Sequence, residues 1–259
     1  MLTLGFIGTG NMGSALAAAA AKNGENRLLL ANRGRAKAEA LREKLGGEVT
    51  DNRGALRSDY LFLGVKPQML PEVTPELREA LEGMDRSPVV VSMAAVTPIS
   101  RLKELLGEKL PVIRIMPNTP VSVGEGIILY CCSEEVDTAS EERFLEAMSA
   151  AGRFVRVEER LVDAGACISG CGPAFVDLFI EALADGGVAC GLPRALALEL
   201  AAGTASGSAK LVLETGKHPA QLKDEVCSPG GTTIRGVRAL EKGGLRSAVM
   251  EAVIAAYHT

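Results

Sequence analysis

Residues 2–7 form a short apolar run that leads straight into Gly8-Thr9-Gly10-Asn11-Met12-Gly13, and an alanine-rich stretch, 14–22, follows at once. A strand, glycines spaced G-x-G-x-x-G and a helix start are the parts of a dinucleotide-binding turn. Gly8 allows the tight turn, Gly10 lets a pyrophosphate approach the backbone, and Gly13 lets the helix pack on the strand. Alone, the pattern says little. At the first strand of a chain that goes on alternating strand and helix, it points to a doubly wound sheet that binds its ligand at the carboxyl ends of the strands.

The alternation does continue. Apolar runs at 28–31, 48–50, 59–65, 88–94 and 112–116 are separated by helical patterns such as 36–45 and 99–106. Residues 126–131 and 153–157 read as closing strands around a helix at 140–151. The runs are continuous and β-branched, which predicts a parallel sheet covered on both faces. The strand ends then nominate the cofactor residues: Gly8, Thr9, Gly10, Asn11, Met12, Gly13, Asn32, Arg33, Val65, Lys66, Pro67, Ala94, Ala95 and Asn118. Chains that prefer NADH carry Asp or Glu about 20 residues beyond the glycines, to hold the ribose hydroxyl. Here that place reads Asn32-Arg33-Gly34-Arg35. Guanidinium groups suit a 2′-phosphate, so the expected cofactor is NADPH, with NADH a poorer alternative. Lys66 ends a strand, where a lysine can be catalytic, but in a loop before Pro67 it reads more often as a solvated charge.

Beyond residue 158 the strand signals stop, which predicts a nucleotide-binding domain over 1–158 and a helical one over 159–259. Residues 174–189 are apolar nearly all round, so that helix is expected to be buried on most faces. Glu199, Ser206, Ser208 and Lys210 break the apolar region 195–213, which reads as a buried helix and not a membrane span. Gly203 and Gly207 in the same helix predict a close helix–helix approach. A unit so apolar and so small points to burial against a second copy of itself. The net charge of −4 and 3% aromatic content argue against a nucleic-acid surface. The N-terminus has no basic leader or cleavage site, and the six cysteines lack metal spacing. Both suggest a cytoplasmic protein with reduced thiols and no metal.

One stretch remains, Val226-Cys227-Ser228-Pro229-Gly230-Gly231-Thr232-Thr233, with a helical pattern after it that Gly243 and Gly244 end. By local chemistry this is an N-cap, with Ser228 or a threonine closing the helix; it is also a start where free N–H groups welcome an anion. Reducing a carbonyl needs a proton donor, usually His or Lys. The two histidines are His218, in a loop, and His258, beside the last residue, and neither is placed like a general acid. The β-hydroxyacid dehydrogenases, laid out alike, carry a lysine after a Gly-x-Gly motif; here Gly170-Cys171-Gly172-Pro173 is followed by none. An imine, protonated before hydride arrives, needs less: a hydroxyl on its nitrogen suffices.

The ordered set Gly8 to Gly13, Val65-Lys66-Pro67, Met116-Pro117-Asn118-Thr119-Pro120, Gly191-Leu192-Pro193 and Ser228 to Thr233 resembles the pyrroline-5-carboxylate reductases along essentially the whole chain. The resemblance implies NADPH-dependent reduction of 1-pyrroline-5-carboxylate to L-proline, in a homodimer often assembled further into decamers. It implies that Thr9, Asn11, Met12, Asn32, Arg33, Asn52, Val65, Lys66 and Ala95 meet the nucleotide. Ser228, Gly230, Gly231 and Thr232 would hold the substrate carboxylate, and the Thr233 hydroxyl the ring nitrogen as the catalytic group. Two positions depart from the family pattern: Cys171 stands where serine is usual, and Val96 where glycine follows the two alanines. Two rivals share the fold, an imine reductase for another cyclic imino acid and a non-catalytic NADPH-binding regulator. A regulator would not need the intact threonine turn.

Overall fold

A computed structural model describes residues 1–257; His258 lies outside the described residues. The chain divides into two compact units, Met1–Gly170 and Cys171–Thr259. The first runs β1 (Thr3–Ile7), α1 (Asn11–Lys22), β2 (Arg27–Ala31), α2 (Arg35–Leu45), β3 (Glu48–Val49), α3 (Asn52–Ala55), β4 (Tyr60–Leu63), α4 (Leu70–Glu82), β5 (Val89–Ser92), α5 (Ile99–Leu106), β6 (Val112–Met116), β7 (Gly126–Cys132), α6 (Thr138–Ala147), β8 (Gly152–Arg156) and α7 (Val162–Ser169). The strands form one sheet in the order β3-β2-β1-β4-β5-β6-β7-β8. Order reverses between β1 and β4, the place where doubly wound sheets open a ligand crevice.

Pairing is parallel from β3 through β6, as expected, but β7 runs antiparallel to β6. The link between them is one short 3₁₀ turn, Thr119–Val123, too short for the crossover that parallel strands require. β8 then pairs parallel to β7 after a connection that carries α6.

Side chains alternate across the sheet, and both faces are buried. Tyr60 and Phe62 face one side with Phe6, Ile113 and Phe144; Leu61 and Leu63 face the other with Val90, Val112, Leu77 and Leu102. The few aromatic rings are concentrated on the first face. Phe6 stacks on Phe62 at 4.5 Å, while Phe144 meets Phe62 at 6.1 Å and Phe154 edge-on at 5.4 Å.

The first unit keeps α7, which extends it beyond the expected boundary at 158/159, because α7 is fastened to the sheet at three places. Buried Arg114 on β6 reaches Asp163 at 2.7 Å and Glu159 at 3.6 Å. Gly165 lies so close to Leu129 that a Cβ there would sit 2.5 Å from its side chain. The Asn118 amide donates to the Ser169 carbonyl at 2.9 Å.

The second unit is α8 (Gly172–Ala189), α9 (Arg194–Thr215), α10 (Pro219–Glu225), α11 (Thr232–Lys242) and α12 (Leu245–Tyr257). Sequence patterns mark neither α10 nor α12. α8 and α9 pack together through Ala184, Ala197 and Ala201. Elsewhere α8 and α9 are not covered within the chain. Leu178 is 64% exposed and Leu213 63%, with Val176, Phe179 and Leu200 also open. Within the chain the close approach is made at Gly187, against Ala197, and not at Gly203 or Gly207, where a side chain would meet nothing within 4 Å. A helix hydrophobic all round needs neighbours on every side, and this unit is too small to supply them.

Phe144 is fully buried among three rings. Phe144→Ala is expected to cost the first unit about 3–5 kcal/mol, read as a lower urea midpoint by circular dichroism. An unchanged midpoint would contradict the packing described.

Candidate active site

The first candidate centre is the turn from β1 into α1. Gly8 has φ +93°, and its N–H donates to the Ala31 carbonyl at 2.9 Å. A Cβ on Gly8 would sit 2.6 Å from the Gly64 carbonyl oxygen, and one on Gly13 only 2.2 Å from that of Gly8. Gly10 is different: nothing lies within 4 Å of the place its side chain would take. Backbone is therefore packed on backbone beneath the turn and left open above it, the form of a cradle for a pyrophosphate.

α1 starts at Asn11, earlier than the alanine run suggests. Its N-cap, Gly10, has no side chain to cap it and the first turn holds no acidic residue. The N–H groups of Asn11, Met12 and Gly13 are left at the positive end of the helix dipole, where an anion is favoured. Thr9 is 4% exposed, and its Oγ1 is a buried hydroxyl with no hydrogen-bond partner among the described residues. A buried unsatisfied hydroxyl is costly, and one beside an open cradle fits a ligand oxygen.

Asn32 holds the turn from the side. Its Oδ1 accepts from Thr9 N at 3.1 Å and its Nδ2 donates to the Gly34 carbonyl at 3.0 Å. The two arginines beside it differ in use. Arg35 pairs with Glu39 at 2.9 Å, whereas Arg33 is exposed and makes no ion pair among the described residues. α2 also begins without a side-chain cap or an acid in its first turn. The end of β2 therefore carries one available guanidinium and no carboxylate, which fits a 2′-phosphate.

The other nominated residues sort by what their side chains already do. Asn52 opens α3 and donates to Glu76 at 3.2 Å. Val65, Lys66 and Pro67 leave β4, with Lys66 exposed. Ala94 is buried and Ala95 half-buried at the end of β5. Asn118 is a clamp: beyond its bond to Ser169, its Oδ1 accepts from Ile127 N at 2.9 Å. Its amide is spent on the protein, which the position at a strand end does not reveal.

The second candidate centre is the turn into α11. Pro229 and Gly230 form its corner, with Gly230 at φ +68°, and Gly231 N donates back to the Ser228 carbonyl at 3.0 Å. Arg235 Nη2 donates to the Gly230 carbonyl at 3.0 Å and fixes that peptide. Gly231 lies close to Ser228, whose Oγ would have to turn aside for a Cβ there. The expected cap by Ser228 or a threonine is not made: Gly231 is the N-cap, and no side chain bonds to it. With Gly231 N–H spent in the turn, the open donors are those of Thr232, Thr233 and Ile234. Both threonines are exposed, and α11 has no acid in its first turn.

His218 serves elsewhere, its Nδ1 accepting from Ala220 N at 3.2 Å as the cap of α10. The thiols in β7 are quiet: burial pushes Cys131 up to about 11 and Cys132 up to about 12.

Comparison with known proteins agrees with both halves. Residues 159–259 match the family model for pyrroline-5-carboxylate reductase dimerisation, and residues 3–96 match that for NADP oxidoreductase, coenzyme F420-dependent. A pyrroline-5-carboxylate reductase of Arabidopsis thaliana is 41% identical over 98% of this chain and 92% of its own. The solved structure of such a reductase from Coxiella burnetii superposes with a TM-score of 0.89 at 34% identity, covering 99% of this chain and 96% of that one. That from Plasmodium falciparum, determined with NADP bound, gives 0.87 at 32% identity with the same coverage. This chain belongs to the pyrroline-5-carboxylate reductase family.

Proposed function

We propose that the protein reduces 1-pyrroline-5-carboxylate to L-proline with NADPH. The observation that carries the reading is the start of α11, where free backbone donors lie beside two exposed threonines with no acid in the first turn. An anionic ligand with one further polar atom suits that start, and a cyclic imine bearing a carboxylate is such a ligand. The N–H groups of Thr232, Thr233 and Ile234 hold the carboxylate, with Ser228 Oγ at the turn's edge. Gly230 and Gly231 shape the turn. The Thr233 hydroxyl hydrogen-bonds the ring nitrogen, which arrives protonated. NADPH, when bound, supplies the hydride that the imine carbon accepts as the C=N π pair moves to nitrogen.

In the first unit, Gly8 to Gly13 cradle the pyrophosphate and Arg33 meets the 2′-phosphate. Asn52, Val65, Lys66, Pro67, Ala94 and Ala95 line the rest of the cofactor's path, and Asn118 holds its wall. α9 and the run 159–189 are long and apolar enough to cross a membrane, with mean hydropathy 1.2 and 1.5. Their match to the dimerisation model supports a protein surface instead, and we infer a homodimer built through the second unit, able to assemble into decamers. We take it to be a cytoplasmic enzyme with reduced thiols.

The assay is loss of reduced-nicotinamide absorbance on adding 1-pyrroline-5-carboxylate, beside a panel of other cyclic imines; no turnover with NADPH or NADH would refute the activity. Thr233→Ala is expected to lower kcat/KM by about 10- to 1,000-fold, or about 1.4–4 kcal/mol of transition-state binding. Unchanged kinetics would remove Thr233 from the chemistry. Arg33→Ala is expected to raise KM for NADPH far more than for NADH, and equal changes would count against the 2′-phosphate contact.

A further inference from the structure

Val96 is the one non-glycine residue with positive φ among the described residues, at +54°. For a β-branched side chain this is a strained backbone, because its methyl groups crowd the neighbouring peptide. Such a conformation persists only where its surroundings impose it. They do so here on both sides. Ala94, buried, donates its N–H to Ser92 Oγ at 3.3 Å. Thr97, also buried, donates its hydroxyl to the Ala95 carbonyl at 3.1 Å. Two residues on, Ile99 N donates to Glu159 at 2.6 Å, which anchors the start of α5. Between these fixed points the isopropyl group of Val96 is turned outward and is 81% exposed.

Its place in the sheet says what it is turned toward. Gly8 packs on Gly64 at the end of β4, and Met93 N donates to the Leu63 carbonyl at 3.4 Å. The pyrophosphate turn, the end of β4 and the loop carrying Val96 are thus successive neighbours along the carboxyl edge. Arg33 lies at the end of β2, on the other side of β1. A dinucleotide laid across the reversal point puts its adenosine half toward β2 and its nicotinamide half toward β4 and β5.

We propose that Val96 is a cofactor-positioning residue whose isopropyl group packs on the nicotinamide half of the cofactor. The inference rests on the reading that the first unit binds NADPH. Glycine would fit this backbone without strain, but it would offer the cofactor no apolar surface. Backbone ease is given up for a side chain.

The test uses the full-length protein without cofactor, titrated calorimetrically with NADPH and with 2′-phospho-ADP-ribose, which lacks the nicotinamide. Val96→Gly is expected to raise the thermal midpoint by about 2–4 °C through relief of strain. It is expected to weaken NADPH about three- to tenfold, because no isopropyl group then covers the nicotinamide half, and to leave 2′-phospho-ADP-ribose unchanged. Val96→Ile should keep the wild-type affinity for NADPH. Wild-type NADPH affinity in Val96→Gly overturns the proposal, and so does equal weakening of both ligands. Wild-type protein that binds neither ligand overturns the cofactor reading itself, and this inference with it.

Discussion

The first unit depends on backbone lying directly against backbone at the mouth of its sheet. Gly8 touches Gly64 on one side and Gly13 on the other, at separations that leave no room for a Cβ. The contact sets how deep α1 sits on β1 and β4, and so where the first N–H groups of α1 point. It also keeps side chains out of the space above, since Gly10 projects nothing into it. Asn32 completes the arrangement by bonding Thr9 N with one end of its amide and the Gly34 carbonyl with the other. An aspartate there could accept from Thr9 but could not donate to Gly34, and its charge would oppose a 2′-phosphate. The same residue therefore shapes the turn and leaves cofactor choice to Arg33.

The second unit is governed by what it leaves unburied. α8 and α9 meet along a narrow alanine seam, while Leu178, Leu200 and Leu213 face outward. Exposure on this scale in a single chain marks an interaction surface. The match of residues 159–259 to a dimerisation model is in line with self-association.

Those two facts explain what could be read from the sequence and what could not. Strands β1, β2 and β4 to β6 were readable because continuous apolar runs bounded by glycine and proline have few other uses. The direction of β7 was not, since it depends on the length of one 3₁₀ turn that carries no periodicity. The dimerisation model begins at residue 159, whereas α7 packs with the first unit, because Arg114 and Asn118 hold it there through partners far along the chain. The faces of α8 and α9 left open within the chain follow from a related limit: hydrophobicity predicts that a surface will be covered, not that the cover belongs to the same chain. At the sites, glycine patterns marked the positions. They did not show that Gly231 N–H is spent in the turn, or that the Asn118 amide is used on the protein.

The two candidate centres solve the same problem with one device. Each sets an uncapped glycine before a helix and keeps acids out of the first turn, so that N–H groups remain for a ligand. What differs is the side chain left beside the donors. At α1 it is Thr9 Oγ1, buried and without a hydrogen-bond partner among the described residues, beside an open cradle that suits a pyrophosphate. At α11 it is a pair of exposed hydroxyls on a turn fastened by Arg235, where a substrate must enter and leave. A phosphate needs only charge and N–H groups. A carboxylate-bearing imine needs one more contact, to its nitrogen, and a neutral hydroxyl meets that need without repelling a cation. On this reading the absence of lysine or histidine from Ser228 to Ile234 is a requirement and not a gap, because a cationic side chain in the place of the Thr233 hydroxyl would oppose the protonated imine.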